Sequence, residues 1–252
     1  MTFPRLLADW DAQQSAYIAH RELRFAAMLD LLELRFGDAP FTVVDLGCGP
    51  GSLSNRILDR FDAASAIGVD HDPTLLELAR RTSPHHGVRL RLVDADLLDP
   101  AWTSEVAERA GGPVHAAVST TALHWTAPHE LVALYAQTRD LLADGGLLVN
   151  GDHFRFDSRT PVIADWAARH DARTQRDAFA AGAPTWDSWW QRLREAPGMA
   201  AAAAERDRRF AERLASPPTA VDFQLAALAQ AGFAESGTAW QFLDDYVVYG
   251  VR

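Results

Sequence analysis

Apolar residues in this chain fall into two rhythms. Short apolar runs near 42–46, 66–70, 88–93, 114–119 and 146–151 alternate with stretches of helical spacing. A run of four to eight apolar residues reads as a buried strand, and spacing by three and four reads as a helix face. Over 128–142, Leu131, Leu134, Tyr135, Thr138, Leu141 and Leu142 share one face. Pro128 suits the first turn of that helix, and Gly145-Gly146 is expected to stop it. Alternating strands and helices imply a parallel sheet covered on both faces. Before residue 40 the spacing of Tyr17, Ile18, Arg21, Phe25, Met28, Leu29 and Leu32 predicts helix. Near the other end, 219–231 reads as a helix on Val221, Leu225 and Leu228. Two strand-like segments follow, 233–242 and 245–252, joined tightly at Asp244-Asp245.

The strands end on acids. Residues 43–51 read Val-Val-Asp-Leu-Gly-Cys-Gly-Pro-Gly, so an apolar run reaches Asp45 and then three glycines at alternate positions. This is a strand running into a turn where backbone approaches a ligand closely. The middle glycine, Gly49, is expected to leave no room for a β-carbon. The spacing is G-x-G-x-G, whereas the dinucleotide fingerprint G-x-G-x-x-G would need its third glycine at Ser52. The second run closes on Asp70, and Asp72 with Pro73 is a helix start. The third ends in Asp94-Ala95-Asp96-Leu97. Taken singly, each acid is most simply a solvated turn residue. Three acids closing three strands in order are rare by chance.

Together these segments resemble the class I S-adenosylmethionine-dependent methyltransferases of the small-molecule, trans-aconitate type. The resemblance covers about 41–154 and 217–252 and implies an α/β fold, a doubly wound, seven-stranded, mostly parallel Rossmann-like sheet whose last inserted strand is antiparallel. It implies S-adenosylmethionine as cofactor. Asp45, Gly47, Cys48, Gly49 and Gly51 would hold the amino acid end. Asp70 would accept the ribose hydroxyls, with His71 beside it. Asp96 with Leu97 would meet the adenine, Asp94 fitting less well, and Ser119 would lie beside the methionine part. Residues 1–40 would form a helical segment over the cofactor, bringing Tyr17 and Arg21 one turn apart, with Arg21 facing the methionine carboxylate or simply solvated.

Methyl transfer from a sulfonium needs alignment first and, for an O–H or N–H acceptor, a base. Strand four ends Ser119-Thr120-Thr121-Ala122-Leu123-His124-Trp125, and strand five ends Asn150-Gly151-Asp152-His153-Phe154. His153 and His124 are the candidate catalytic residues, with Asp152 able to set the tautomer of His153. Residues 155–216 interrupt the core at the ligand-bearing edge of the sheet. They hold Trp166, Trp186, Trp189 and Trp190. They are expected to form a mobile helical lid, with Trp125, Trp186, Trp189 and Trp190 lining a mostly apolar acceptor pocket. The plainer reading is extra core packing.

Composition narrows the picture. All 24 basic residues are arginine, which removes a lysine base, a Schiff base and a P-loop lysine. A net charge of −10 makes nucleic acid a poor partner. No run of about 18 apolar residues is present, so no membrane span is expected. The one cysteine, Cys48, suits a small buried role and a reducing cytosol. No metal is expected, since His85-His86 has no partner at ligand spacing and Ser119 stands where a metal-binding acid would. The chain is expected to be a cytoplasmic monomer or homodimer acting on a small molecule. Two alternatives stay open: a protein of this fold that uses S-adenosylmethionine in a non-methylating step such as a cyclisation, and an NAD-dependent dehydrogenase, disfavoured by Ser52.

Overall fold

The computed structural model describes residues 2–211 and 219–252. Seven strands form one sheet: β1 (Phe41–Leu46), β2 (Ala64–Asp70), β3 (Leu90–Asp94), β4 (Val114–Thr120), β5 (Leu142–His153), β6 (Glu235–Phe242) and β7 (Asp245–Val251). Their order is β3-β2-β1-β4-β5-β7-β6. Strands β1 to β5 pair in parallel, and β7 is antiparallel to both its neighbours. Helices α1 (Phe3–Tyr17) and α2 (Arg21–Phe36) precede β1. Helices α3 (Ser52–Arg60), α4 (Pro73–Thr82), α5 (Trp102–Ala110) and α6 (Pro128–Leu141) connect the parallel strands. Helices α7 (Pro161–Ala180), α8 (Trp186–Arg194) and α9 (Ala200–Phe210) lie in the insertion, and α10 (Val221–Gln230) precedes the final hairpin.

Strand β1 is mostly apolar because both its faces are covered. Val44 and Leu46 pack with Ile67, Val69, Trp102, Leu134 and Tyr135 on the side of α5, α6 and α10. Phe41 and Val43 pack with Phe25, Met28, Leu53 and Ile57 on the side of α2 and α3. The helices after β1 and after β4 thus lie on opposite faces. Between these two neighbouring strands the connections part, and a crevice opens at their carboxyl ends, the usual ligand site of such sheets.

Several boundaries differ from the expectation. Helix α6 ends at Leu141, and the chain is extended from Leu142, which pairs with Val114. Gly145-Gly146 therefore does not stop the helix. It forms the irregularity in β5 where the register with β4 shifts, and a β-carbon on Gly146 would lie 2.7 Å from Ala143 O. The N-terminal pattern is two helices. Tyr17 closes α1 and Arg21 opens α2, so they do not share one helical face. The hairpin turns at Leu243-Asp244, with Leu243 at φ +54°, and Asp245 already belongs to β7. A two-residue hairpin loop requires positive φ, which the residue type did not announce.

The insertion leaves and rejoins the core at one place, where Arg155 N–H donates to Thr219 O at 3.0 Å. Its expected end at 216 lies outside the described residues. Helix α8 builds a satellite core with α1 and α4: Trp189, Trp190, Leu193, Ala196 and Met199 pack on Leu6, Leu75 and Leu78. Trp189 is fully buried, lies 4.6 Å from Trp10 between ring centroids, and donates its indole N–H to Leu6 O. Truncating a buried indole costs about 3–5 kcal/mol. Trp189→Ala should lower the unfolding free energy in urea by about that amount. A loss below about 1 kcal/mol would show that the satellite core contributes little to the fold.

Candidate active site

At the end of β1 the Asp45 carboxyl is wholly buried. Its Oδ2 accepts the Ser54 hydroxyl at 2.6 Å, while Oδ1 has no partner among the described residues. Burial, helped by the charge of Asp70 and opposed by the Ser54 bond, pushes its pKa up to about 7. The glycine loop then turns under β2: the N–H groups of Gly47 and Cys48 both donate to Val69 O. Gly49 sits at φ +55°, a conformation other residues reach at a cost. Within the protein, a β-carbon there would meet nothing nearer than Leu75 at 3.8 Å, so backbone shape rather than crowding calls for glycine. The crowded position is Gly47, whose β-carbon would come within 2.5 Å of that of Ala122. Cys48 is buried, and burial together with Asp70 and Asp45 drives its thiol pKa well up, which makes it an inert packing group.

Asp70 closes β2 and organises two loops. Its Oδ2 accepts Gly49 N–H at 2.7 Å and its Oδ1 accepts Asp72 N–H at 2.8 Å. Burial raises its pKa to about 6 against these bonds. Asp72 caps α4 by accepting the N–H groups of Thr74 and Leu75. Helix α9 reaches the same loops. Arg206 pairs with Asp72 at 2.6 Å, and Arg209 grips Asp94 with both terminal nitrogens and donates to His71 O. Asp94 is thus engaged by Arg209. Asp96 and Leu97 are half-buried, with Asp96 Oδ1 accepting Leu98 N–H at 3.0 Å.

Arg21 is buried and committed to Asp11 at 2.8 Å. Asp11 also accepts the hydroxyl of Ser52, the first residue of α3. Tyr17 accepts the N–H of Trp186 and packs on Phe179. Ser119 is buried with its hydroxyl on Leu46 O, so it ties β4 to β1.

The ends of β4, β5 and β7 carry most of the remaining polar chemistry. Asp152 is fully buried and accepts His124 Nδ1 at 2.9 Å, His124 N–H at 3.2 Å and His153 N–H at 2.9 Å. Burial pushes its carboxyl up, but His124 and Arg24 prevail and hold it below the ordinary range. Asp152 therefore orients His124, not His153, because successive residues of β5 point to opposite faces. His153 turns toward Asp244 at 3.5 Å, whose bond raises its pKa against burial. Arg24 is fully buried. Its Nε donates to Asp245 at 2.7 Å, and its Nη1 donates to Thr121 Oγ1 at 2.7 Å and Gly151 O at 3.2 Å. His20, His170 and Phe242 form a ring cluster at this edge, with His20 and Phe242 centroids 4.4 Å apart. Asp171 lies near Asp244 and His153, and burial raises its pKa.

The sequence reading missed Arg24, His20, His170 and Asp171. Arg24 did leave a signal, because it stands four residues before Met28 on a face that is otherwise buried. Trp186, Trp189 and Trp190 gather around Trp10, and Trp186 and Trp190 line a cavity with Arg194 and Arg206. Trp189 and Trp190 lie in the satellite core, Trp186 is exposed at its rim, and Trp125 is exposed beside His124. The ends of β4, β5 and β7 carry polar side chains, while Trp186, Trp189 and Trp190 pack against α1 and α4.

Known proteins agree with this architecture. A methyltransferase-domain family matches residues 43–146. The chain is 32% identical over 193 residues to a trans-aconitate 2-methyltransferase of Methylobacterium nodulans, covering 73% of this chain and 67% of that protein. The chain belongs to the class I S-adenosylmethionine-dependent methyltransferases. A trans-aconitate 2-methyltransferase of Streptomyces coelicolor is 33% identical over 182 residues, 70% of this chain and 55% of that one. Against that of Methylobacterium radiotolerans the match covers 48% of the relative, so the chain spans about half to two thirds of these enzymes. Among solved structures, the methyltransferase SibL in its apo form aligns with a TM-score of 0.59 at 18% identity, over 92% of this chain and 55% of that one. The magnesium protoporphyrin IX methyltransferase of Synechocystis aligns at 0.58 and 14% identity, over 95% and 86%. These last two share the fold. Among the described residues of this methyltransferase no helix is long and apolar enough to cross a membrane.

S-adenosylmethionine is the methyl donor of this family, and the residues present suit it. The unpaired Oδ1 of buried Asp45 is an acceptor beside a loop of positive φ, which fits a cationic amino group. Asp70 keeps lone pairs for two hydroxyls beyond its two backbone bonds. Both carboxyls have raised pKa values, so in the ligand-free protein they ionise between about pH 6 and 7. Cofactor donors prefer the ionised forms. Affinity for S-adenosylhomocysteine should therefore rise from pH 5 to pH 8, with protons released on binding near pH 6.5, measured by calorimetry in buffers of differing ionisation enthalpy. A flat profile would separate these carboxyls from the ligand. Asp70→Ala should weaken binding by on the order of 2–3 kcal/mol.

Proposed function

We propose that this methyltransferase acts on a proton-bearing heteroatom, O–H or N–H, of a small polar acceptor, and that His124 removes the proton. The observation that carries the reading is the pairing of Asp152 with His124 Nδ1. A buried carboxylate on Nδ1 keeps the hydrogen there and leaves the lone pair on Nε2. That nitrogen makes no hydrogen bond to the described residues and belongs to a partly exposed side chain just past β4. The acceptor lone pair forms the new bond to the methyl carbon as the sulfur–methyl bond breaks. Its electrons remain on sulfur, and the acceptor proton passes to Nε2. His153, bound to Asp244, serves as an orienting group. Asp45, Gly47, Cys48, Gly49 and Gly51 line the amino acid end of the cofactor. Asp70 and His71 line its ribose, and Asp96 and Leu97 its adenine.

Charge at the edge favours a neutral acceptor. Asp152, Asp171, Asp244 and Asp245 cluster there, and Arg24 is already paired with Asp245. A second reading, a carboxylic acid such as trans-aconitate, is supported by the named relatives. A carboxylate needs no base. We read residues 155–211 as a helical cover over this space, with α7 bringing His170 and Asp171 to it. The net charge weighs against a nucleic acid partner and the single cysteine suits a reducing cytosol; we read the chain as a cytosolic monomer or homodimer.

Release of S-adenosylhomocysteine with a panel of phenols, alcohols, amines and trans-aconitate separates the readings. Turnover of a hydroxyl or amine is expected, and turnover of trans-aconitate alone would overturn the first reading. With the accepted substrate, His124→Gln should lower kcat by roughly 10²–10⁴-fold while S-adenosylhomocysteine affinity holds. Asp152→Asn should lower kcat in the same direction. Unchanged kcat in His124→Gln would remove the base.

A further inference from the structure

A second cluster lies outside the site described above. His85 and His86 stand in the short 3₁₀ segment Pro84–Arg89 that leads into β3, and Asp59 is the penultimate residue of α3. The sequence offers the histidine pair no third ligand at a regular spacing, but the fold brings one 26 residues upstream of His85. One ligand atom from each of the three lies within 4.8 Å of the others.

His86 is 5% exposed, yet its Nε2 has no hydrogen-bond partner among the described residues. Asp59 Oδ1 is 3.6 Å from it, too long for a hydrogen bond. A buried, unpaired ring nitrogen is costly unless something fills the gap. The separation suits two ligands on one ion, since metal–ligand distances of about 2.0–2.2 Å allow ligand atoms up to roughly 4.2 Å apart. Asp59 and His85 are exposed and can close the remaining distance by side-chain rotation. The nearby cation, Arg89, is directed to the carbonyls of Leu58, Phe61 and Asp62 at the end of α3.

We propose that Asp59, His85 and His86 form a site for a borderline divalent cation, Zn²⁺, Co²⁺ or Ni²⁺, completed by water. Two imidazoles and one carboxylate are the donors such ions take, whereas Mg²⁺ and Ca²⁺ take oxygen sets. The ion ties the last turn of α3 to the segment entering β3. Helix α3 begins at the glycine loop and ends at this site, so the ion fixes the helix at the end remote from the cofactor. Its role is to hold structure and is separate from methyl transfer.

Tag-free protein stripped with chelator and titrated with Zn²⁺ by calorimetry tests this. Saturable binding of one equivalent is expected, with a rise in the thermal midpoint that depends on metal concentration. Co²⁺ should give the visible absorption of a low-symmetry site. Asp59→Asn and His85→Asn, both at exposed positions, should each weaken binding at least tenfold while S-adenosylhomocysteine affinity stays unchanged. His170→Asn, at the other histidine cluster, should bind Zn²⁺ like the parent. No saturable binding by the parent, or equal binding by Asp59→Asn and His85→Asn, overturns the proposal.

Discussion

The carboxylate of Asp70 is the point on which the cofactor edge depends. Its two oxygens accept N–H groups from different segments, Gly49 of the glycine loop and Asp72 at the start of α4. The loop after β1 and the loop after β2 are thereby held to one side chain. The restraint adds to the bonds of Gly47 and Cys48 N–H to Val69 O, in a loop whose glycines sit at positive φ and carry no side chains to pack. The same carboxylate is raised in pKa by burial, so the group that shapes the loops is poised to respond to a ligand.

The insertion is joined to this edge by charge and to the flank by packing. Arg206 and Arg209 reach from α9 to Asp72 and Asp94. Asp72 is nearly buried, and Arg206 also lies over the Trp190 ring at 3.9 Å, so this pair is screened less than a surface pair. Pairs such as Arg208–Glu205 and Arg194–Asp207 lie near the surface and contribute little. Trp189 and Trp190 of α8 act from below as core. Helix α8 packs on α1 and helix α9 on α4.

At the other end of the crevice Arg24 plays the corresponding part. Its guanidinium spans the ends of β4, β5 and β7 through Thr121, Gly151 and Asp245. A fully buried cation is costly unless its donors are met, and these three partners meet most of them. With Arg24 held by Asp245, Asp152 pairs with His124.

Much of the fold was legible in order along the chain. Apolar runs ending in Asp45, Asp70 and Asp94, a glycine loop and a capped helix at Asp72-Pro73 are local patterns, and the strands they imply appear within a few residues of where they were expected. Local patterns fail where backbone geometry is set by a partner. Gly145-Gly146 reads as a helix stop, but pairing of Leu142 with Val114 ends the helix earlier. Tyr17 and Arg21 read as one face, but the chain breaks between them. The site divided along the same line. The acids at strand ends were visible because a parallel sheet puts every such end at one edge. Which histidine meets which acid was not, since Asp152 faces His124 beyond the adjacent strand while its neighbour His153 faces Asp244. Likewise only folding brings Asp59 to His86, and only packing decides that Trp189 is core rather than pocket. Sequence by itself determined what recurs with local period and strand order. The tertiary structure decided every pairing between residues far apart in the chain, because those depend on which face each side chain presents and what lies opposite it.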